Sequence, residues 1–130
     1  MSENFFVEII SPDQSILKSE AKEVTIPSYE GQMGILKDHI SLITFLRPGL
    51  VNIKKESEEK IFFIEEGIVE FKNNNLLILT STSKPLESLD KNFLDTAIKD
   101  SEEKISKEDI SDKEKYLLSH KIDTLREINQ

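Results

Sequence analysis

Residues 60–80, with the sequence KIFFIEEGIVEFKNNNLLILT, decide the fold class. The stretch holds three short runs rich in Ile, Val, Leu and Phe, separated by Glu66-Gly67 and by Asn73-Asn74-Asn75. Branched and aromatic side chains favour β-strands, whereas Gly and Asn favour the tight turns that connect strands. The stretch therefore predicts three consecutive strands at residues 60–65, 68–72 and 76–80.

The same pattern extends towards the N-terminus. Further strand-like runs occupy residues 5–10, 23–26 and 50–54, with turn residues between them at Ser11-Pro12-Asp13, Tyr29-Glu30-Gly31 and Arg47-Pro48-Gly49. In the third run apolar and polar side chains alternate, as in a strand with one buried face. Several short strands at this spacing predict a β-sandwich or barrel. Residues 61–64 and 76–79 are continuously apolar, so these strands are expected to be covered on both faces or shielded by the second half.

The chain after Pro85 contains neither Gly nor Pro, and its apolar residues recur at helical spacing. Ser88 is expected to cap a first helix, and Ser111-Asp112-Lys113-Glu114 has the form of a capping box for a second. A short connection between two such helices predicts an antiparallel hairpin. The predicted fold class is therefore α+β, with an N-terminal antiparallel β-sandwich over residues 1–85 and a C-terminal α-helical hairpin over residues 86–130.

The hairpin is small for an independent unit. About 45 residues with few apolar side chains lie near the size below which a chain rarely folds alone. The hairpin is therefore expected to dock on the sandwich, on a partner, or on each at different times. Two or three buried large side chains, at ~1.5–3 kcal/mol each, would hold it, so two alternative packings of similar energy are plausible.

Composition limits the classes of partner. The 130 residues include 25 Asp and Glu against 17 Lys and Arg, a net charge of -8 that disfavours nucleic acid and anionic lipid. Without cysteine, neither disulfides nor thiolate metal sites can form. The N-terminal MSENFFV lacks the features of a signal or transit peptide, and no apolar run approaches the roughly 20 residues of a membrane span. These features predict a cytosolic protein that keeps its initiator methionine.

The sequence contains no recognisable catalytic constellation. His39 directly follows Asp38, and adjacent side chains usually point in different directions, so His39 is expected to close a turn or touch a partner. His120 lies in the middle of a helix and is expected to be solvated. Gly31-Gln32-Met33-Gly34 lacks the third glycine and the following helix of a dinucleotide-binding loop, so turn or bulge glycines are expected. The prediction is an interaction module without metal or cofactor.

Three ordered segments carry a family resemblance. Residues 30–42, EGQMGILKDHISL, follow the pattern E-G-x-x-G-I-L-x-x-H-x-x-L, and residues 46–53, LRPGLVNI, follow L-x-P-G-x-V-x-I. Residues 62–71, FFIEEGIVEF, are similar to a central hairpin, and residues 7–16 fit an opening strand, turn and strand. Together these segments resemble the epsilon subunits of F-type ATP synthases over essentially the whole chain.

The resemblance implies a two-sheet sandwich with a C-terminal helical hairpin and no catalytic residues. Members of the family sit at the foot of the central stalk, bind the gamma subunit, rest on the ring of c subunits and couple proton-driven rotation to ATP synthesis. By resemblance, the loop at Glu30, Gly31 and Gln32 faces the c ring, and His39 and Leu42 face gamma. The implied location is peripheral, at the cytoplasmic face of a bacterial inner membrane, with a plastid membrane as the alternative.

In bacterial members the hairpin can also extend and inhibit ATP hydrolysis at the alpha and beta subunits, where basic residues meet an acidic segment of beta. The residues carried over to this role are Lys113, Lys115, Lys121 and Arg126. Four acidic neighbours offset their charge, which leaves ordinary pairing along an exposed helix as the alternative. These neighbours are Asp112, Glu114, Asp123 and Glu127.

Two positions depart from the family pattern. The central hairpin commonly carries two glycines, whereas Glu66 precedes Gly67 in this chain. Some bacterial members bind ATP through I/L-D-x-x-R-A; Leu89 and Asp90 match this motif, but Phe93 replaces its arginine. An aromatic ring cannot pair with phosphate as a guanidinium does, so no nucleotide site is expected and Phe93 is expected to pack within the hairpin.

Two other function classes stay open. One is a stand-alone β-sandwich adaptor that binds a protein or a small ligand. The other is a hydrolase that uses Asp38 and His39. A rotor subunit should co-purify with gamma, whereas a stand-alone adaptor should not. A hydrolase that uses His39 should lose its activity in a His39→Ala variant.

Overall fold

The computed structural model describes residues 3–130; Met1 and Ser2, and with them the predicted initiator methionine, lie outside the described residues. None of the helices in this range has the length and apolar character that a membrane-spanning segment requires. The described chain forms ten strands and two α-helices: β1 Phe5–Ile10, β2 Ser15–Ala21, β3 Glu23–Ser28, β4 Gly31–Leu36, β5 Leu42–Leu46, β6 Gly49–Lys55, β7 Glu58–Ile64, β8 Gly67–Lys72, β9 Asn75–Leu79, β10 Lys84–Pro85, α1 Lys91–Ile105 and α2 Asp112–Ile128.

The strands pair into one curled sheet that closes on itself as a sandwich. One layer contains β10, β7, β6, β3 and β4, and the other contains β5, β8, β9, β1 and β2. A single pair between β3 and β5, Ser28 opposite Leu46, joins the two layers. One pairing departs from the antiparallel pattern, because β1 and β9 run parallel with Val7 opposite Leu76. The predicted fold class, a sandwich followed by two helices, is confirmed.

The main core lies between the two layers. Because successive strand residues point to opposite faces, every second side chain enters this core. Ile9, Ile26, Val51, Val69 and Ile78, from five different strands, are all fully buried.

β7 contributes to a second, smaller core on the outside of the sandwich. Phe62 and Ile64 face the main core. Phe63 points the opposite way and packs against Leu94 of α1 and Leu125 of α2. The prediction that this apolar strand is shielded by the second half of the chain is confirmed.

The matching prediction for residues 76–79 is wrong. β9 belongs to the other layer, and its outward side chains Leu77 and Leu79 line two separate open grooves. Leu79 therefore stays 43% exposed. A continuous apolar run did not mean burial on both faces in this strand.

The hairpin is antiparallel and docks on the sandwich. Arg126 near the end of α2 pairs with Glu102 of α1, and Asn129 bonds Asp95, so later residues of α2 meet earlier residues of α1. The apolar stripes of both helices cover β6 and β7, where Leu50 joins the second core.

β4, β5 and β10 are absent from the sequence prediction, and β2 is implied only by the resemblance of residues 7–16 to an opening strand, turn and strand. β4 contains two glycines in six residues, which lowers its intrinsic strand propensity. The predicted turn before it is present, and it brings Gly31 opposite Ser28 so that β4 runs back along β3. Pairing with β3 therefore decides the structure of this segment.

α1 begins after Asp90 rather than after Ser88. Asp90 Oδ1 accepts a hydrogen bond from the Phe93 N–H at 2.8 Å. Ser88 ends a short 3-10 turn, and its Oγ donates to the Pro85 carbonyl at 2.7 Å. The predicted Ser88 cap is therefore wrong, whereas the predicted capping box at the start of α2 is confirmed.

Asp90→Ala is expected to lower the free energy of unfolding by about 1 kcal/mol, because it removes the acceptor of the Phe93 N–H. Ser88→Ala should lower it clearly less, because the exposed Ser88 side chain caps no helix. Urea unfolding of both variants measures the difference. Equal losses would contradict the assignment of the cap.

The predicted boundary after Pro85 falls at the end of β10. β10 pairs with β7, with Lys84 opposite Phe63, so the connection to the hairpin leaves directly from the sheet. That residues 1–85 and 86–130 behave as separate units stays a prediction.

Candidate subunit interface

The loop predicted to face the c ring is the tight turn between β3 and β4. Glu30 and Gln32 are exposed, and Gly31 has a φ of 131°, where a side chain would strain the backbone. Ser28 Oγ donates to the Gly31 carbonyl at 2.7 Å. The turn therefore presents one carboxylate and one amide from a fixed backbone.

The segment between β4 and β5 is held by two reciprocal hydrogen bonds. The Asp38 N–H donates to Asn74 Oδ1 at 2.7 Å, and Asn74 Nδ2 donates to Asp38 Oδ1 at 2.9 Å. Both residues have positive φ, 67° and 58°, which Asp and Asn adopt more readily than most residues. The segment that carries His39 is therefore tied to the turn between β8 and β9.

The two residues predicted to face gamma lie side by side. The His39 ring packs edge-on against Phe71, with the ring centroids 5.9 Å apart, and His39 Nδ1 lies 2.8 Å from the Ile40 carbonyl. Leu42 is half-buried and stands opposite Phe71 in β8. Leu42 also packs against the margin of the main core.

The Asp38–His39 sequence does not form a catalytic pair in this structure. The Asp38 carboxylate accepts from Asn74, and the His39 ring is directed at a carbonyl and an aromatic ring. Within residues 3–130, no three His, Asp or Glu side chains come together in a way that could hold a metal ion.

A row of exposed apolar side chains crosses the layer that contains β5, β8 and β9. It consists of Ile43, Phe45, Ile68 and Leu79, which are 40–70% exposed, and is called the apolar face below. Phe45 stands opposite Ile68, and Ile68 stands opposite Leu79, so these side chains adjoin across neighbouring strands. A contiguous exposed apolar patch of this kind is a candidate interaction surface.

Sequence reasoning missed the apolar face. Three of its residues, Phe45, Ile68 and Leu79, line an open groove of 650 Å³, which is also lined by Ile10, Pro12 and Tyr29 and, from α2, by Lys113. The available signal was the presence of apolar residues at two outward positions of one strand, but that strand, β5, was itself not predicted.

The four basic residues carried over to the hairpin do not form one cluster. Lys121 Nζ pairs with Glu65 Oε1 of the sandwich at 2.7 Å, and its side chain is only 20% exposed. Arg126 pairs with a glutamate of α1. Lys115 is exposed, and Lys113 borders the groove. Two of the four are therefore engaged within the docked chain.

His120 is half-buried, so the prediction that it is solvated is wrong. Its Nε2 lies 3.3 Å from Arg47 Nη1, and its ring centroid lies 4.6 Å from that of Tyr116. Burial, and after it the positive charge of Arg47, lowers the pKa of His120 from the ordinary 6.5, while Asp123 acts in the opposite direction. The pairing with Arg47 spans 73 positions and could not be read from local sequence.

The segment that resembles a nucleotide motif has structural roles. Asp90 caps α1, and Phe93 and Leu89 pack into the second core. Lys84 Nζ lies 5.6 Å from the centroid of the Phe93 ring. The prediction that Phe93 packs within the hairpin is confirmed.

Comparison with known proteins agrees with this architecture. The model of the ATP synthase delta/epsilon chain β-sandwich domain matches residues 4–85. The ATP synthase epsilon chain of Pelagibacter ubique is 47% identical over 130 residues, which cover 99% of this chain and 100% of that protein. The epsilon chain of Alkalilimnicola ehrlichii is 35% identical over 101 residues, or 77% of this chain and 72% of that protein.

Two solved structures share the fold. A chain in the OSCP/F1/c-ring structure of the Euglena gracilis mitochondrial ATP synthase has a TM-score of 0.84 at 21% identity, covering 100% of this chain and 84% of that chain. A chain in the central stalk/c-ring structure of the Tetrahymena thermophila mitochondrial ATP synthase has a TM-score of 0.63 at 14% identity, covering 96% of both. With the family match and the 47% identity over the full length, this chain belongs to the ATP synthase epsilon chain family.

Proposed function

We propose that this chain is a non-catalytic rotor subunit of the central stalk of a proton-translocating ATP synthase. In this role it couples rotation of the c ring to ATP synthesis in the catalytic head. The observation that carries the proposal is the apolar face, a row of large side chains that a stable partner would cover. Membership of the epsilon chain family supports the same role.

The proposed gamma contact consists of the apolar face together with His39 and Leu42. Ile40, next to His39, is 79% exposed and extends the apolar surface along the chain. The reciprocal bonds between Asp38 and Asn74 hold this segment in place before a partner binds. A preformed surface loses less conformational freedom on association and so binds more tightly.

The proposed c-ring contact is the turn with Glu30, Gly31 and Gln32. Its exposed carboxylate and amide suit a polar protein surface, and the fixed backbone suits a part that transmits torque. The similar chains of known structure come from assemblies that contain a c ring, which supports this assignment.

The proposed location is the cytoplasmic face of a bacterial inner membrane. The chain would be held there peripherally by gamma and the c ring. The bacterial origin of the epsilon chains that it resembles supports this location.

Co-purification tests the proposed function. A tagged gamma subunit, expressed together with this chain, should retain it through affinity and size-exclusion steps. If the chain does not bind gamma but binds an unrelated protein or ligand, that result would instead support a stand-alone adaptor. Either loss of gamma binding or turnover of a substrate by the isolated chain would contradict a rotor subunit.

The docked hairpin is proposed to be the form that does not inhibit hydrolysis. In this form Lys121 pairs with Glu65, and Arg126 pairs within the hairpin. Contact between these basic residues and the alpha and beta subunits would require the hairpin to leave the sandwich first. Inhibition therefore depends on the free energy of docking.

Millimolar ATP is expected to leave the melting temperature of the isolated chain unchanged. Phe93 replaces the arginine of the nucleotide motif, and the Asp90 carboxylate already caps α1. A ligand at 100 times its Kd would stabilise the fold by about 2.7 kcal/mol, which thermal unfolding detects readily. Phe93→Arg is the matched variant for restoring the motif. A clear upward shift in the unmodified chain would show that ATP binds without the arginine.

A further inference from the structure

A polar network crosses the interface between α2 and the sandwich. Arg47 Nη1 donates to Tyr116 Oη at 2.9 Å, and Tyr116 Oη donates to the Tyr29 carbonyl at 2.6 Å. His120 Nε2 lies 3.3 Å from the same Arg47 nitrogen. Arg47 and Tyr29 belong to the sandwich, whereas Tyr116 and His120 belong to α2. All three contacts are therefore lost when the hairpin undocks.

The network fits only a neutral imidazole. A guanidinium has hydrogen-bond donors and no acceptor, so His120 Nε2 must accept from Arg47 and the ring proton must be on Nδ1. Protonation would place an N–H and a positive charge directly against the Arg47 cation. The acceptor would be lost and a repulsion between like charges would replace it.

The other groups at this interface do not remove the conflict. Tyr116 contributes a hydroxyl and Tyr29 a carbonyl, so neither supplies a negative charge to His120. The Glu65 carboxylate is paired with Lys121 at 2.7 Å. Asp123 of α2 favours the protonated ring, but burial and the Arg47 charge outweigh it, and the pKa of His120 remains lowered.

We propose that Arg47 and His120 form a pH-sensitive latch, in which protonation of His120 breaks its contact with Arg47 and weakens docking of the hairpin. This adds a regulatory input to the rotor function proposed above and rests on that function for its biological meaning. Docking itself is a property of the isolated chain and can be measured without gamma.

The direction of the effect follows from proton linkage. In the undocked hairpin His120 is solvated and has its ordinary pKa near 6.5, whereas docking lowers the pKa. Between the two pKa values the undocked form binds more protons, so docking is at full strength above that range and weakens as the pH falls through it. One proton limits the change in the docking constant to about tenfold per pH unit. We expect docking to weaken between about pH 7.5 and about pH 5.5, by at most about tenfold.

Energy transfer between two dyes measures docking in the full chain. The natural chain has no cysteine, so Ser57→Cys in the turn between β6 and β7 and Ser119→Cys on α2, both exposed, can be labelled selectively. At a urea concentration that leaves about half of the molecules docked near pH 7.5, transfer should change reversibly on acidification, because a tenfold loss in the docking constant lowers the docked fraction from about one half to about one tenth. His120→Gln keeps an acceptor for Arg47 but cannot titrate, so its curve should be flat. His39→Gln, which removes the other imidazole, should keep the full response.

A pH-independent signal in the chain with both histidines, or an unchanged acid response in His120→Gln, would overturn the proposal. If the hairpin of His120→Gln is undocked at every pH, that variant cannot serve as the control. An NMR titration of the His120 ring in the chain with both histidines then tests the proposal. Replacing Arg47 with Gln removes a charge that lowers the His120 pKa, so the titration midpoint should rise. A midpoint that is the same with and without Arg47 would also overturn the latch.

Discussion

Phe63→Ala is expected to release the helical hairpin while the β-sandwich stays folded. The Phe63 ring is 1% exposed and packs against Leu94 and Leu125 in the second core. Truncating a buried phenylalanine costs about 3–5 kcal/mol, which is comparable to the whole docking energy expected for so small a hairpin. The main core does not include Phe63 and should be preserved.

Amide hydrogen exchange resolved by segment measures this effect. Protection in α1 and α2 should fall by about two orders of magnitude, the equivalent of roughly 3 kcal/mol, while protection in the central strands stays near the unmodified level. Phe62→Ala is the matched control, because the neighbouring Phe62 ring faces the main core. That variant should lower protection throughout the sandwich. Helices that stay fully protected in Phe63→Ala would show that other contacts hold the hairpin.

Phe45→Glu is expected to abolish capture by gamma. The Phe45 side chain is 60% exposed at the centre of the apolar face, so the isolated chain should tolerate the change without unfolding. In a complex, however, the new carboxylate would be buried without a partner. Large aromatic side chains are frequent hot spots whose loss costs at least ~2 kcal/mol, and an unpaired buried charge adds to that cost. Affinity should therefore fall by about a hundredfold or more.

Phe6→Glu is the matched control for charge and exposure. Phe6 is also 60% exposed, but it lies on β1, three strands from β5 in the same layer, or roughly 14 Å across the sheet. It is also displaced by four residues, or roughly 13 Å, along the strand from Ile10, which is aligned with Phe45 through Ile68 and Leu79. Gamma should still capture this variant. Binding by both variants would remove the apolar face from the proposed gamma contact, and loss in both would show that any added negative charge on this layer is sufficient. An unchanged melting temperature confirms that each variant is folded.

The parts of the fold that were predictable from sequence have local causes. Asn73 and Asn74 both adopt positive φ in the turn between β8 and β9, as the Asn-rich run suggests. Ser111 and Glu114 form the predicted capping box because both partners lie within one helical turn. Strands and turns of this kind need only a few neighbouring residues to be recognised.

The cap of α1 shows how local signals can also compete. Ser88 and Asp90 are both good capping residues, and they stand two positions apart. In the 3-10 turn, Ser88 Oγ donates its hydrogen bond to the Pro85 carbonyl. The Phe93 N–H in the first turn of α1 therefore donates to Asp90 Oδ1 instead. Which of the two residues caps α1 depends on where β10 ends, and the spacing of apolar residues in the helix does not indicate that position.

The candidate site depends on pairing across the chain. The apolar face exists because β5, β8 and β9 align Phe45, Ile68 and Leu79, and this register is a property of the sheet. The contact between Arg47 and His120 likewise joins two separate elements. The assignments of Glu30, Gly31, Gln32, His39 and Leu42 to partner contacts came from the family resemblance, and they stay predictions.

The two-sided character of β7 has a consequence for the rotor. If the hairpin undocks, Phe63 and Leu50 of the second core become exposed to water. Exposed apolar surface of this kind promotes self-association. We therefore expect the hairpin to extend only where the surface of another protein covers Phe63 and Leu50 in place of the helices. For this reason we expect the assembled machine, more than the free polypeptide, to be where the hairpin changes its position.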